Sequence, residues 1–154
     1  MNTSIKKYNI AQIDDLIHAR EKVLREVFDI DSGENIDALL EANREYYLKA
    51  FKEDAHVAYV YLEGETAIGC GDMCIQREMP SPDNPSGKCG LLMNIYTCPE
   101  YRKQGVGKKI VEALIEEAKI RGIKKLVLES STAGRVLYSE CGFIAFKDCM
   151  IKYL

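Results

Sequence analysis

The chain has 154 residues, 47% of them apolar and 29% charged, with 21 Lys and Arg against 24 Asp and Glu for a net charge of −3. That length and apolar fraction suit one domain, 1–154, with a sizeable core, and the scattered basic residues leave no broad surface for nucleic acid. No apolar run approaches the ~20 residues of a membrane span, and Met1 to Ile10 lacks a basic stretch followed by an apolar one, so the expectation is a cytoplasmic protein without nucleic-acid or membrane partners.

Ser4 to Tyr8 opens with strand character, after which Ile13, Leu16, Ile17, Val23, Leu24, Val27 and Phe28 recur at helical spacing. Asp31-Ser32-Gly33 breaks that helix. A second follows, its stripe of Ile36, Leu39, Leu40, Tyr47, Ala50 and Phe51 opposed to Glu41, Arg44, Glu45 and Lys49. His56 to Leu62 is rich in β-branched and aromatic residues, and Glu63-Gly64-Glu65 turns it into Thr66 to Glu78 as a hairpin does. A loop punctuated by Pro80, Pro82, Pro85 and Gly87 runs to Lys88 and carries no motif. Cys89 to Thr97 reads as a buried strand, ended at Cys98-Pro99 because proline donates nothing to a ladder. The pattern then predicts a helix from Gly105 to Arg121 stopped by Gly122, a strand from Lys124 to Glu129, a short helix from Thr132 to Cys141, and the last strands within Phe143 to Tyr153.

Six cysteines sit mostly inside apolar segments, without CxxC spacing or a histidine pair, and read as reduced core thiols rather than metal ligands. His18 and His56 have no catalytic partner nearby in sequence and read as structural.

The segment Arg102-Lys103-Gln104-Gly105-Val106-Gly107 stands between an apolar strand and an amphipathic helix. Glycines before a helix uncover backbone N–H groups where the helix dipole is positive, a ready cradle for phosphate. A dinucleotide fingerprint needs a third glycine, where Ile110 stands. A P-loop needs Ser or Thr after Gly-Lys, and Gly107-Lys108 is followed by Lys109. What remains is Arg-x-x-Gly-x-Gly, with Arg102, Lys103 and Lys108 as cations for a pyrophosphate.

Here the chain resembles the GNAT superfamily of acyl-CoA-dependent N-acetyltransferases, whose cofactor loop is Gln/Arg-x-x-Gly-x-Gly/Ala. Leu137-Tyr138-Ser139-Glu140-Cys141-Gly142-Phe143 is similar to a second signature of that family, Leu-Tyr-Glu-x-x-Gly-Phe. Both fall in the second half, between about Leu91 and Phe146; the first half agrees only in its order of helices and strands. The resemblance implies an α/β fold of α+β type, with a mixed, mostly antiparallel sheet of six to seven strands and about four helices.

It also implies acetyl-CoA as co-substrate, with no metal, and an amine acceptor, here a small molecule in preference to a protein or peptide. A CoA-binding sensor without transfer activity is the alternative. Backbone groups of Ile95, Tyr96 and Thr97 would pair with the pantetheine arm, and Arg102, Lys103, Gln104, Gly105, Val106, Gly107 and Lys108 would hold the pyrophosphate. A backbone N–H near Ile95 would receive the oxyanion, and Tyr138 would protonate the leaving thiolate.

Two departures stand out. Some relatives place a glutamate early in the strand that here reads Cys89-Gly90-Leu91-Leu92-Met93, so the base is open between Asp72, Glu129 and water. Where many relatives carry a pantetheine-binding asparagine, seven positions before the tyrosine, this chain has Ser131. A homodimer through the last strands is left open.

Overall fold

The computed structural model describes residues 2–146 and 149–154. Strand β1 (Thr3–Tyr8) leads through a single helical turn, closed by an Asn9–Gln12 capping box, into helix α1 (Ile13–Val27). Helix α2 (Asp37–Lys52) follows, then the strands β2 (His56–Glu63), β3 (Thr66–Arg77) and β4 (Lys88–Thr97). Helix α3 (Val106–Ile120), the two-residue strand β5 (Leu126–Val127) and helix α4 (Arg135–Glu140) complete the order.

The sheet runs β1-β2-β3-β4-β5, antiparallel until the last pair, where β5 lies parallel to β4. Helix α3 makes the crossover that a parallel pair requires. Period-2 alternation splits β2 between two cores. Val57 and Tyr61 pack with Met73, Leu92, Ile110, Val111 and Leu114 beneath α3. Ala58, Val60 and Leu62 pack on the other face with Leu16, Ile17 and Val23 of α1 and Tyr47 of α2. The helical stripes read from the sequence therefore land on opposite faces of one sheet.

The six to seven strands expected become five among the described residues. The strand anticipated over Lys124 to Glu129 shrinks to two residues, because β5 pairs only at Gly90↔Leu126 and Leu91↔Val127 before β4 diverges from it. A two-residue strand offers little edge for a neighbour, and Phe143 to Tyr153 forms no strand among its described residues; positions 147 and 148 of that stretch lie outside them. The motifless loop before β4 is built around buried Asn84, whose side-chain amide donates to Glu78 Oε1 and the Lys88 carbonyl. Among the described residues no helix is long and apolar enough to cross a membrane.

Candidate functional site

β4 runs six residues past Leu91, its last partner on β5, so its edge from Leu92 to Thr97 is open on that side. On the β3 side the register runs Asp72↔Met93 and then Cys70↔Tyr96, which leaves Asn94 and Ile95 opposite the single residue Gly71. This is a β-bulge, a device that turns backbone groups out of a ladder. Asn94 takes φ +57, a left-handed conformation that asparagine tolerates better than most residues. The Cys98 amide donates to the Ile68 carbonyl, so by alternation the backbone groups of Thr97 face the open side. Part of that edge is taken, since Arg102 Nε donates to the Thr97 carbonyl at 3.0 Å. The Ile95 side chain packs into the α3 core, whereas Tyr96 reaches the α1 face and donates to Glu26 Oε2 at 2.5 Å.

The edge runs into the start of α3. Gly105 is the N-cap at φ +82 and supplies no side chain to it, while Lys109 N closes the first turn on the Gly105 carbonyl at 3.1 Å. The N–H groups of Val106, Gly107 and Lys108 consequently have no intrahelical acceptor and point along the helix axis. With Lys103 also left-handed at φ +59, the loop has the alternation that gathers successive N–H groups around an anion. The two glycines serve different ends. Gly105 is needed for its conformation; at Gly107 a Cβ would lie 3.2 Å from Leu137 Cδ2 of α4, so that glycine lets α4 approach.

The cations are not all aimed at the cradle. The Arg102 guanidinium forms a short ion pair with Glu26 and ties α1 to the loop, and the Gln104 amide donates to the Glu100 carbonyl. Lys108 lies 3.9 Å from Glu140, and Lys103 makes no side-chain contact among the described residues, so these two are the cations nearest to free. Glu26 is held below the ordinary carboxylate range by the Tyr96 hydrogen bond first and Arg102 second.

Tyr138 on α4 packs edge-on against Phe143 at 6.0 Å, and its hydroxyl has no partner among the described residues. Burial, followed by the neighbouring Cys141, pushes its phenol above the usual range, which keeps it protonated and able to donate. The Ser131 hydroxyl accepts from Gly134 N at 3.1 Å and so shapes the turn into α4, with its own proton still available.

Of the proposed bases, Glu129 is exposed and has no side-chain hydrogen bond or ion pair among the described residues, whereas Asp72 is buried at the centre of a polar network. Its Oδ2 accepts from the Tyr47 hydroxyl at 2.6 Å and pairs with His56 Nε2 at 2.8 Å; its Oδ1 accepts from the Asn94 side chain at 3.3 Å. Tyr46 Oη lies 2.9 Å from His56 Nδ1, and Arg20 donates to Asn94 Oδ1 at 2.9 Å and to Asn43 at 3.0 Å. His18 is exposed on α1 and stands apart. The sequence reading missed Tyr46, Tyr47, Asn94 and Arg20, and separated His56 from Asp72. The available signal was His56 at the head of β2 and Asp72 within an apolar stretch of β3, and only the β2–β3 register, with Ala58 opposite Asp72, makes them diagonal neighbours.

Two half-open clefts lie elsewhere. One of about 290 Å³ under α1 is lined by Asp15, His18, Lys22, Cys70, Tyr96 and Cys98; one of about 590 Å³ beside α2 is lined by Lys7, Phe51, Lys52, His56 and Arg121. Neither includes a residue from Arg102 to Lys108 or Tyr138, although the first includes Tyr96. Among the described residues no cluster of His, Cys, Asp and Glu is arranged to hold a metal.

A strand edge left open where β5 ends, with a bulge on its other side, leads into a helix start without a side-chain cap, a shape suited to an extended ligand carrying phosphate at one end. The chain belongs to the acetyltransferase (GNAT) family, whose model matches residues 24–143. It is 30% identical over 103 residues to glucosamine 6-phosphate N-acetyltransferase of Arabidopsis thaliana, covering 65% of this chain and 66% of that one. Over 55 residues it is 42% identical to the [ribosomal protein bS18]-alanine N-acetyltransferase of Escherichia coli K12, covering 34% of this chain and 37% of the relative. A predicted acetyltransferase of Clostridium acetobutylicum, crystallised with acetyl-CoA, superposes with a TM-score of 0.84 at 25% identity over 99% of this chain and 96% of its own.

Proposed function

We propose that this protein transfers the acetyl group of acetyl-CoA to a primary amine of a small molecule by direct attack in a ternary complex. The observation that carries the reading is the continuity of the open β4 edge with the uncapped α3 N-terminus. An extended pantetheine arm fits the edge as an added strand, along Ile95, Tyr96 and Thr97. Its pyrophosphate then meets the N–H groups from Gln104 to Lys108, with Lys103 and Lys108 as the available charges. Ser131 stands at the turn facing α4 as a further contact.

The bulge lies where the thioester carbonyl would sit, and the N–H groups at Asn94 and Ile95 supply the donors for an oxyanion. Tyr138, protonated and unpartnered, gives its proton to the departing thiolate. Preference for a small amine is supported by the alignment with the glucosamine 6-phosphate enzyme, which extends over about twice as many residues as that with the ribosomal-protein enzyme and reaches beyond the cofactor half.

The test is thiol release from acetyl-CoA against a panel of amino sugars, alkylamines, aminoglycosides and short peptides. Turnover with a small amine is expected, and Tyr138→Phe should lower kcat by about tenfold or more while CoA still binds. Activity confined to peptides overturns the acceptor assignment. A thermal shift with CoA but no turnover on the whole panel indicates a binding module and overturns the enzyme reading.

A further inference from the structure

Attack on a thioester needs the acceptor as a neutral amine, yet β4 carries no carboxylate to take the ammonium proton. Within Cys89 to Met93, the stretch of β4 where a carboxylate is missing, Leu91 and Met93 are faced across the ladder by Cys74 and Asp72 of β3. Residues directly opposed on neighbouring strands share a face, so the charge missing from β4 lies one strand over, beneath α1 and α2. Asp72 itself is 2% exposed and already surrounded by three donors, which bars it from meeting an amine. Its connection outward runs through His56 to Tyr46, which is 41% exposed and lies next to Cys74.

The partners set the proton positions. An ionised Asp72 only accepts, so His56 Nε2 carries hydrogen toward it; Nδ1 then presents a lone pair, and the Tyr46 hydroxyl donates to it. Hydroxyl, imidazole and buried carboxylate thus stand in line, with the half-exposed Tyr46 at the outer end.

We propose that Tyr46, His56 and Asp72 form a relay that takes the proton of the acceptor ammonium, an inference that rests on the acetyltransferase reading above. The ammonium N–H bond breaks toward Tyr46 Oη as the Tyr46 proton passes to His56 Nδ1. This leaves a neutral amine with its lone pair free and an imidazolium paired to Asp72. After attack the nitrogen sheds a second proton, which balances the one Tyr138 delivers to the thiolate, and the imidazolium returns its proton to solvent through Tyr46. Ammonium and thioester become amide, thiol and one released proton. Tyr46 touches the amine; His56 holds the proton; Asp72 is a positioning residue.

The surroundings leave Asp72 as the anion that answers a charged His56. Tyr47 of α2 and Cys70 of β3 are pushed up by burial, and Tyr46 by burial and then by Cys74, so all three stay neutral near pH 7. From α1, Arg20 hydrogen-bonds the network at Asn94, and its charge is also felt at Tyr47 and Cys70, where burial still outweighs it. Lys7, Lys52, Asp54 and Arg121 rim the opening beside His56, with Lys7 and Arg121 paired to Glu117 and Arg121 also to Asp54.

The experiment compares two acceptors added to the panel: butylamine, an ammonium at pH 7, and methoxyamine, which is neutral there. Tyr46→Phe should lower kcat/KM for butylamine at pH 7 by about tenfold or more, in the range of general-base contributions, with recovery as the pH rises toward the pKa of the amine. The rate with methoxyamine should change by only about twofold. His56→Gln, whose amide still donates to Asp72, should reproduce both the loss and the recovery. Equal losses with the two amines, as a purely structural role would produce, overturn the relay, and so does an unchanged rate with butylamine. Wild-type protein that releases no thiol with any amine fails the acetyltransferase reading instead, which separates the two outcomes.

Discussion

Asp72→Ala tests the buried network without reference to activity. The substitution removes little apolar packing, so its cost comes from the donors it strands. Asn94 is partly exposed and turns to water. The Tyr47 hydroxyl and His56 Nε2 belong to residues 3% exposed and cannot do so. Each buried donor left unmade costs about 1–3 kcal/mol, so two give about 2–6 kcal/mol. His56 recovers part of this by moving its proton to Nδ1, because Tyr46 Oη at 2.9 Å can then turn and accept. The expected loss is therefore about 3 kcal/mol, near the lower bound of about 3–5 kcal/mol for breaking a buried charged pair. For a chain of this length that lowers Tm by about 6–12 °C, read by calorimetry alongside urea unfolding with an unchanged m-value. Asp72→Ala combined with His56→Leu should cost less than the sum of the two single changes, because the double variant strands fewer polar groups. A loss below about 1 kcal/mol for Asp72→Ala, or strict additivity in the cycle, would refute the picture of a buried, saturated carboxylate.

Other regions make separate demands. Gly105→Ala meets no atom within 4 Å yet must hold φ +82, so it should cost about 1 kcal/mol by urea unfolding and weaken CoA binding measured by calorimetric titration. Wild-type stability with unaltered binding would show that the loop does not depend on the left-handed N-cap. Glu26 is held low in the folded state by Tyr96 and Arg102, so its contribution is present above the unfolded carboxylate value of about 4.3 and is lost as pH falls through the lower folded value. Glu26→Gln should accordingly flatten that part of the acid limb in a Tm–pH series, whereas two superimposable limbs would count against the Glu26 contacts.

Most of the architecture was legible because its causes are local. The stripes of α1, α2 and α3, the Glu63-Gly64-Glu65 turn and the Pro99 stop each depend on residues a few positions apart, and the observed bounds differ from the expected ones by a few residues. The entry into α3 was legible for the same reason, since a glycine there permits the left-handed N-cap that Gly105 adopts. The strands expected within Phe143 to Tyr153 are not found among its described residues, since pairing needs an edge and β5 provides two residues of it. Arg102 was expected at the pyrophosphate and is found on Glu26, a residue 76 positions earlier whose approach no spacing rule predicts.

The amino-acid sequence by itself determined most of the segments that become helices and strands, the two-glycine entry into α3, and the spacing of Tyr138 from it. Tertiary structure alone decided that β4 leaves β5 after Leu91, that Asn94 and Ile95 bulge from the ladder, and that His56 and Asp72 meet beneath Tyr46. The division follows the range of the forces. Periodicity and left-handed turns are written within a few residues, whereas a register, an open edge and a buried hydrogen bond exist only after distant strands have been placed side by side.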